Sequence, residues 1–209
     1  MCAPDRRLPH AAAEWYVGGM TDAARRLMST DEFLEWCLEQ EGRWELVDGV
    51  PVEMMAGAKQ PHDVIVVNLI TALDRRLGDG PRRPSTADVG ARMTGGNLRR
   101  PDLTVDCGPL NTNSAESTEP TVFFEVLSPS TRGVDFLRKP AEYKLVPTLR
   151  HFVLLEAQVA YAWVWSRVDA DRWSDAFVSG LDGVLELPGV GVSLPLSEVY
   201  RRLSVADPR

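Results

Sequence analysis

Cysteine is scarce in this chain, and what there is lacks pattern. Cys2, Cys37 and Cys107 show no metal-type spacing, and an odd count argues against a disulfide framework. Long apolar runs are missing too: none approaches the roughly 20 residues needed to cross a bilayer. Arg6 and Arg7 lie near the N-terminus, but no apolar signal-peptide core follows them. A reducing cytoplasm and no membrane are the expected setting. Basic charge is also in deficit, with 23 Lys and Arg against 30 Asp and Glu, a net charge of -7. Broad non-specific nucleic-acid binding usually leaves a basic footprint, so that function class is disfavoured. The arginines do fall in pairs, including Arg82-Arg83 and Arg99-Arg100. Such pairs suit a solvated surface or a local basic patch.

With 44% hydrophobic and 25% charged residues in a length of 209, the chain is ordinary for one globular domain. No internal repeat, low-complexity tract or domain-scale linker interrupts it. The expected division is an N-terminal arm over residues 1–28 and one domain over 29–209. Ser29 followed three residues later by Glu32 is a capping-box signature. The helix it opens sets Phe33, Leu34, Cys37 and Leu38 on one face and runs toward Gly42. Asp48-Gly49 between two short apolar segments signals a tight β-hairpin, whose strands carry Glu45 and Glu53. Pro61-His62-Asp63 opens a second helix with Val64, Ile65, Val67, Leu69, Ile70, Leu73 and Leu77 at helical spacing, stopped by Gly78. His62, in its first turn, faces either solvent or a site. A strand is predicted within residues 85–93, another over Leu103–Cys107, and a helix over 134–146 that Pro140 either kinks or starts late. Strands over 151–156, 159–166, 172–179 and 184–187 follow, then a terminal helix over 195–203. Tyr161, Trp163 and Trp165 share a strand face, suited to a core or a dimer surface. The whole predicts one α/β domain with a mixed sheet.

The chemistry centres on the apolar run from Thr121 to Ser130. Its β-branched and aromatic residues read as a buried strand closed by a Ser-Pro-Ser turn. Glu125 stands in its middle, and an ionised carboxylate is costly to bury unless something pairs with it. Either it has a partner, or the strand is an edge with Glu125 facing water. Asp102, at a strand entrance 23 residues earlier, is the expected neighbour. Two converging carboxylates need a proton or a cation between them. A hard ion such as Mg²⁺ takes oxygen ligands, and the main-chain carbonyl of Val126 could add one. A lysine would stabilise developing charge, and Lys139 and Lys144 follow the strand. Arg99 and Arg100, just before Asp102, could hold substrate phosphates as positioning contacts.

Pro101-Asp102, then Phe124-Glu125-Val126-Leu127-Ser128-Pro129-Ser130-Thr131, then Asp135, Lys139 and Tyr143, resemble the Uma-type restriction endonucleases of bacteria, a branch of the PD-(D/E)xK nuclease superfamily. Trp44-Glu45-Leu46-Val47-Asp48-Gly49, Pro61-His62 and Leu187-Pro188-Gly189 extend the resemblance over roughly residues 29–203. It implies a restriction-endonuclease-like core and a Mg²⁺- or Mn²⁺-dependent phosphodiesterase acting on DNA, with a homodimer as the expected assembly. It also implies Asp102 and Glu125 as metal ligands, Glu45 as a further acid and His62 as a site-lining residue. The superfamily's lysine belongs two positions after Glu125, where Leu127 stands, so Lys139 takes its place. Tyr143, one turn beyond, is expected to pack. The alternative function is a catalytically weak nuclease-fold module that binds or regulates.

Overall fold

The computed structural model describes residues 27–54, 59–127 and 138–206. The first helix, α1 (Thr30–Cys37), opens on the expected box: the Glu32 N–H donates to Ser29 Oγ at 3.2 Å, and Ser29 N–H donates to Glu32 Oε2 at 2.9 Å. Such a cap satisfies helix donors that have no partner within the first turn. The helix stops at Cys37, short of Gly42, and Leu38 is 85% exposed instead of sharing the Phe33 face. The hairpin is as expected, β1 (Trp44–Val47) pairing with β2 (Val50–Glu53) across a two-residue turn. Asp48 (φ 51°) and Gly49 (φ 75°) both take the left-handed conformation that such a turn requires.

The long helix α2 (Gln60–Leu77) carries Pro in its first turn and buries Ile65, Asn68, Leu69, Ala72 and Leu73. Val67 is 53% exposed, so the apolar face is narrower than its spacing implied. The segment expected to hold one strand holds two short ones, β3 (Arg83–Thr86) and β4 (Ala91–Arg92), which part into different sheets. There follow β5 (Leu98–Arg99), β6 (Leu103–Asp106) and β7 (Pro120–Leu127). Among the described residues the next helix is α3 (Lys139–Tyr143), with Pro140 in its first turn. Proline's missing N–H costs nothing there, so Pro140 marks a start and not a kink. The Ser128-Pro129-Ser130 turn and Asp135 lie outside the described residues. After β8 (His151–Glu156), β9 (Tyr161–Arg167) and β10 (Trp173–Ser179) come the hairpin β11 (Val184–Leu187) with β12 (Val192–Pro195) and the single-turn α4 (Leu196–Val199). The terminal helix is therefore shorter than predicted.

The main sheet runs β10-β9-β8-β7-β6-β3, and a smaller one runs β2-β1-β5-β4. Only β7 and β8 pair in parallel within the main sheet, which makes it mixed. Parallel neighbours need a crossover connection, and α3 lies within it. One sheet face packs Val105, Val122, Phe124, Val126, Val153 and Leu155 against Ile65, Leu69 and Leu73 of α2. The other packs Phe123, Leu127, Phe152, Leu154 and Trp165 against Tyr143 of α3. Each such side chain contributes about 1.5–3 kcal/mol on burial. Trp165 is therefore core, while Trp163 and Tyr161 are half-buried and lie beside the exposed Phe177 of β10. With layers on both faces, every residue of β7 is buried, Glu125 included. The edge-strand alternative for Glu125 is thereby removed, and the carboxylate needs partners inside the protein.

Candidate active site

Strand pairing brings Asp102 alongside β7. In the antiparallel pairing of β6 with β7, Leu103 lies opposite Phe124, and Asp102 is the residue that leads into that pair. Asp102 is also stitched to the strand beside it: its Oδ2 accepts the Val126 N–H at 2.8 Å. The same oxygen lies 3.1 Å from His62 Nε2, which the first turn of α2 delivers to this end of the sheet. His62 is half-buried. Burial works against its protonation, but the hydrogen bond and charge of Asp102, with Glu125 and Asp63 nearby, outweigh that and raise its pKa above the ordinary value.

Glu125 is 3% exposed, and α3 supplies its partners. Lys139 Nζ donates to Oε1 at 2.8 Å, and the Tyr143 hydroxyl donates to the same oxygen at 2.6 Å. Positions i and i+4 on one helix face make this possible. A paired and hydrogen-bonded charge is the condition for burying a carboxylate, and Lys139 is itself 7% exposed. The Tyr143 ring is wedged between Phe123 (centroids 4.7 Å apart) and Phe152 (5.0 Å, edge-on). Burial, then the charges of Glu125 and Glu45 and the Glu125 hydrogen bond, push its phenol pKa well up, so it remains a donor. Lys144, the other lysine candidate, instead sits 5.5 Å from the centre of the Trp165 ring.

Arg99 and Arg100 do not face outward, which corrects the expectation that they hold phosphates. They are 2% and 8% exposed, and their guanidinium groups are committed inside the protein. Arg99 makes a bidentate pair with Glu142 of α3, both bonds 2.7 Å, and reaches Glu45 Oε2 at 3.0 Å. Arg100 donates its backbone N–H to Glu45 Oε1 at 2.9 Å and its side chain to the carbonyls of Trp44, Ala87 and Asp88. Burial disfavours the Arg99 cation, but the hydrogen bonds to Glu142 and the charges of Glu45 and Glu142 raise its pKa further. Burial likewise pushes Glu142 up, and Arg99, Asn97 and Arg138 more than reverse it. Glu45 therefore meets the Arg99 guanidinium and the Arg100 backbone.

Among the described residues, no three His, Cys, Asp or Glu groups are placed together as a metal cluster. The chemistry of the donors nonetheless suits a hard divalent ion, since two carboxylates with a main-chain carbonyl form an all-oxygen set and Mg²⁺ commonly keeps several waters. No described residue bonds Oδ1 of Asp102. Two site residues escaped the sequence reading. Tyr143 was expected only to pack, although its i, i+4 relation to Lys139 was the available signal. Glu142 had none, because its partner Arg99 lies 43 positions away.

The family model for Uma2, described as "Putative restriction endonuclease", matches residues 30–197. The chain belongs to the Uma2 family. A Uma2 relative in sequence is "Uncharacterized protein slr1290" of Synechocystis sp. (strain ATCC 27184 / PCC 6803 / Kazusa), 29% identical over 179 residues that cover 85% of this chain and 93% of that protein. The Uma2 fold also resembles a crystal structure described as "a putative nuclease belonging to DUF820 from Anabaena variabilis ATCC 29413". The TM-score is 0.64 at 16% identity, covering 83% of this chain and 97% of the other. The restriction-endonuclease-like α/β core expected from the sequence agrees with the family match and with this structural likeness. No helix among the described residues is long and apolar enough to cross a membrane.

Proposed function

We propose that this Uma2 protein is a divalent-metal-dependent endonuclease that hydrolyses phosphodiester bonds of DNA. The observation that supports the reading is the hydrogen bond that ties Asp102 to Val126, the residue after Glu125, together with a buried lysine on Glu125. Asp102 and Glu125 would hold Mg²⁺ or Mn²⁺, with the Val126 carbonyl as a further oxygen. When bound, such an ion supplies charge neutralisation at the phosphate and a more acidic water. His62 orients Asp102 through Oδ2, and Lys139 offers its ammonium group to the charge that grows on the phosphate. Tyr143 keeps its proton and holds Glu125 Oε1. The Asp102 register, His62 and Lys139 reach the site from β6, α2 and α3, so substrate would meet it at the end of the sheet where these elements converge. A homodimer acting in the cytoplasm belongs to the same reading, and sedimentation of the purified protein tests the assembly.

Cleavage of supercoiled plasmid with Mg²⁺ or Mn²⁺ tests the reading, comparing wild type with Asp102→Asn and Glu125→Gln. Wild type should nick or linearise the plasmid, chelator should abolish this, and each substitution should slow it about 100-fold or more. Equal cleavage by all three proteins would sink the assignment. The net charge of -7 and the buried Leu127 two positions after Glu125 favour a second reading, a DNA-binding or regulatory module without turnover. Retained DNA affinity with no cleavage under any metal would select it.

A further inference from the structure

Glu125 Oε1 receives two donors of opposite character. Lys139 reaches it at 2.8 Å through four rotatable carbon–carbon bonds, near the start of α3. Tyr143 reaches it at 2.6 Å from a fully buried ring packed on Phe123 and Phe152. The ammonium ends a chain with rotatable bonds, whereas the hydroxyl is fixed by the packing of its ring. A lysine that extends to a phosphate beyond the carboxylate gives up the bond that neutralises it. Removing the partner of a buried charge is strongly disfavoured, so a carboxylate held by lysine alone would keep its lysine at home.

We infer that Tyr143 is a positioning residue of the Asp102–Glu125 site: its hydroxyl holds Glu125 Oε1 in place when Lys139 departs toward the substrate phosphate. This rests on the nuclease reading above. Tyr143 touches neither substrate nor metal, and it acts through Glu125 by keeping that carboxylate's rotamer fixed. It also limits how strongly Glu125 retains the lysine. The Arg99–Glu142 pair supports the arrangement from the next position of α3, fixing the helix while the Lys139 side chain remains extendable. The division of labour is between a rigid hydroxyl and a mobile ammonium on adjacent turns.

The test is a mutant cycle on the full chain with Tyr143→Phe, Lys139→Met and the double variant. Single-turnover plasmid cleavage, DNA affinity, Mn²⁺ affinity by calorimetry and thermal midpoint are measured on each. Tyr143→Phe keeps the ring packing, so it should retain DNA affinity while cleaving about tenfold more slowly and binding Mn²⁺ several-fold more weakly. In the Lys139→Met background the same change should weaken Mn²⁺ binding by a larger factor than it does in wild type, because it takes the second of the two α3 donors from Glu125 Oε1. An equal or smaller factor there, or a Tyr143→Phe protein that cleaves and binds Mn²⁺ like wild type, overturns the inference and leaves the nuclease reading standing. Wild type that neither binds Mn²⁺ nor cleaves overturns both. Should Tyr143→Phe fail to fold, 3-fluorotyrosine at position 143 preserves size and sharpens the donor. At least a twofold change in cleavage with an unmoved thermal midpoint then supports the role, and an unchanged rate refutes it.

Discussion

His151 should make this protein acid-labile in a defined window. It opens β8, is 3% exposed, and has both ring nitrogens engaged. The Gly189 N–H donates to Nε2 at 2.9 Å, so that nitrogen must be the acceptor, and Nδ1 then carries the proton and faces Ser166 Oγ at 2.9 Å. A second proton on the ring would set an N–H against the Gly189 N–H. Burial, with the charge of Arg150 adding to it, lowers the pKa from the ordinary 6.5 to about 4. A histidine depressed in the folded state is protonated first in the unfolded chain. Its stabilising contribution is thus complete above pH 6.5 and is lost as pH falls toward the folded value. Over that 2.5-unit interval, at about 1.36 kcal/mol per unit, the total is about 3.4 kcal/mol, of which about 2.4 kcal/mol falls between pH 7 and 4.5. Urea unfolding of wild type and His151→Gln at both pH values measures it, because the glutamine oxygen can still accept from Gly189 but does not titrate. Carboxylates titrate in both proteins and cancel in the comparison. The wild type should lose about 2.4 kcal/mol more than the variant over this range. Parallel losses would refute both the neutral tautomer and the depressed pKa.

Other changes have equally direct readouts. Arg99→Met keeps the buried stem but strands Glu45 and Glu142, costing about 3–5 kcal/mol and lowering the thermal midpoint by roughly 6–20 °C for a chain of this size. Calorimetry checks it, and a shift under about 2 °C would contradict the clamp assigned to this residue. Asn68 donates to the carbonyls of Val199 and Arg201 at 2.9 Å each, tying the end of α4 to α2. Asn68→Ala should cost about 1–3 kcal/mol by urea unfolding, with cleavage at room temperature preserved. Gly189→Ala would bring a methyl group to 2.8 Å from His151 Nε2 and 2.7 Å from Arg150 Cβ. A loss of about 1–3 kcal/mol, together with a weaker acid-dependent loss than wild type, is the expected result in the same unfolding assay.

Local signals announced themselves clearly in this chain. The Ser29 box, the Asp48-Gly49 turn and the span of α2 each depend on residues within one or two turns of one another, where periodicity and capping chemistry operate. Glu125 was legible for a different reason, since a charge inside a run of β-branched and aromatic residues conflicts with its surroundings. The neighbourhood of β6 and β7 followed from the length of the loop between them. What escaped were the long-range pairings. Arg99 and Arg100 look like surface cations by type, and nothing nearby in sequence discloses that Glu45 and Glu142 enclose them from two other elements. Leu38 and Val67 fit an apolar period but fall where their helices have no layer to cover them. Position in a helix can be read locally, whereas the presence of a covering layer cannot.

The hydrogen bond from Val126 N–H to Asp102 makes the site part of the sheet's own lattice. A pair of acids borne on flexible loops would take whatever separation the loops allowed. Here Asp102 stands at the entrance to β6 and is tied by its own carboxylate to the backbone of β7, one residue past Glu125. Loops around the site can therefore lengthen, shorten or change composition without altering the spacing of the two acids. A slip of strand register would do that, and a one-residue slip would exchange the two buried faces of β7, driving Glu125 toward the α2 side. The tolerance of the chemistry is thus inherited from the core.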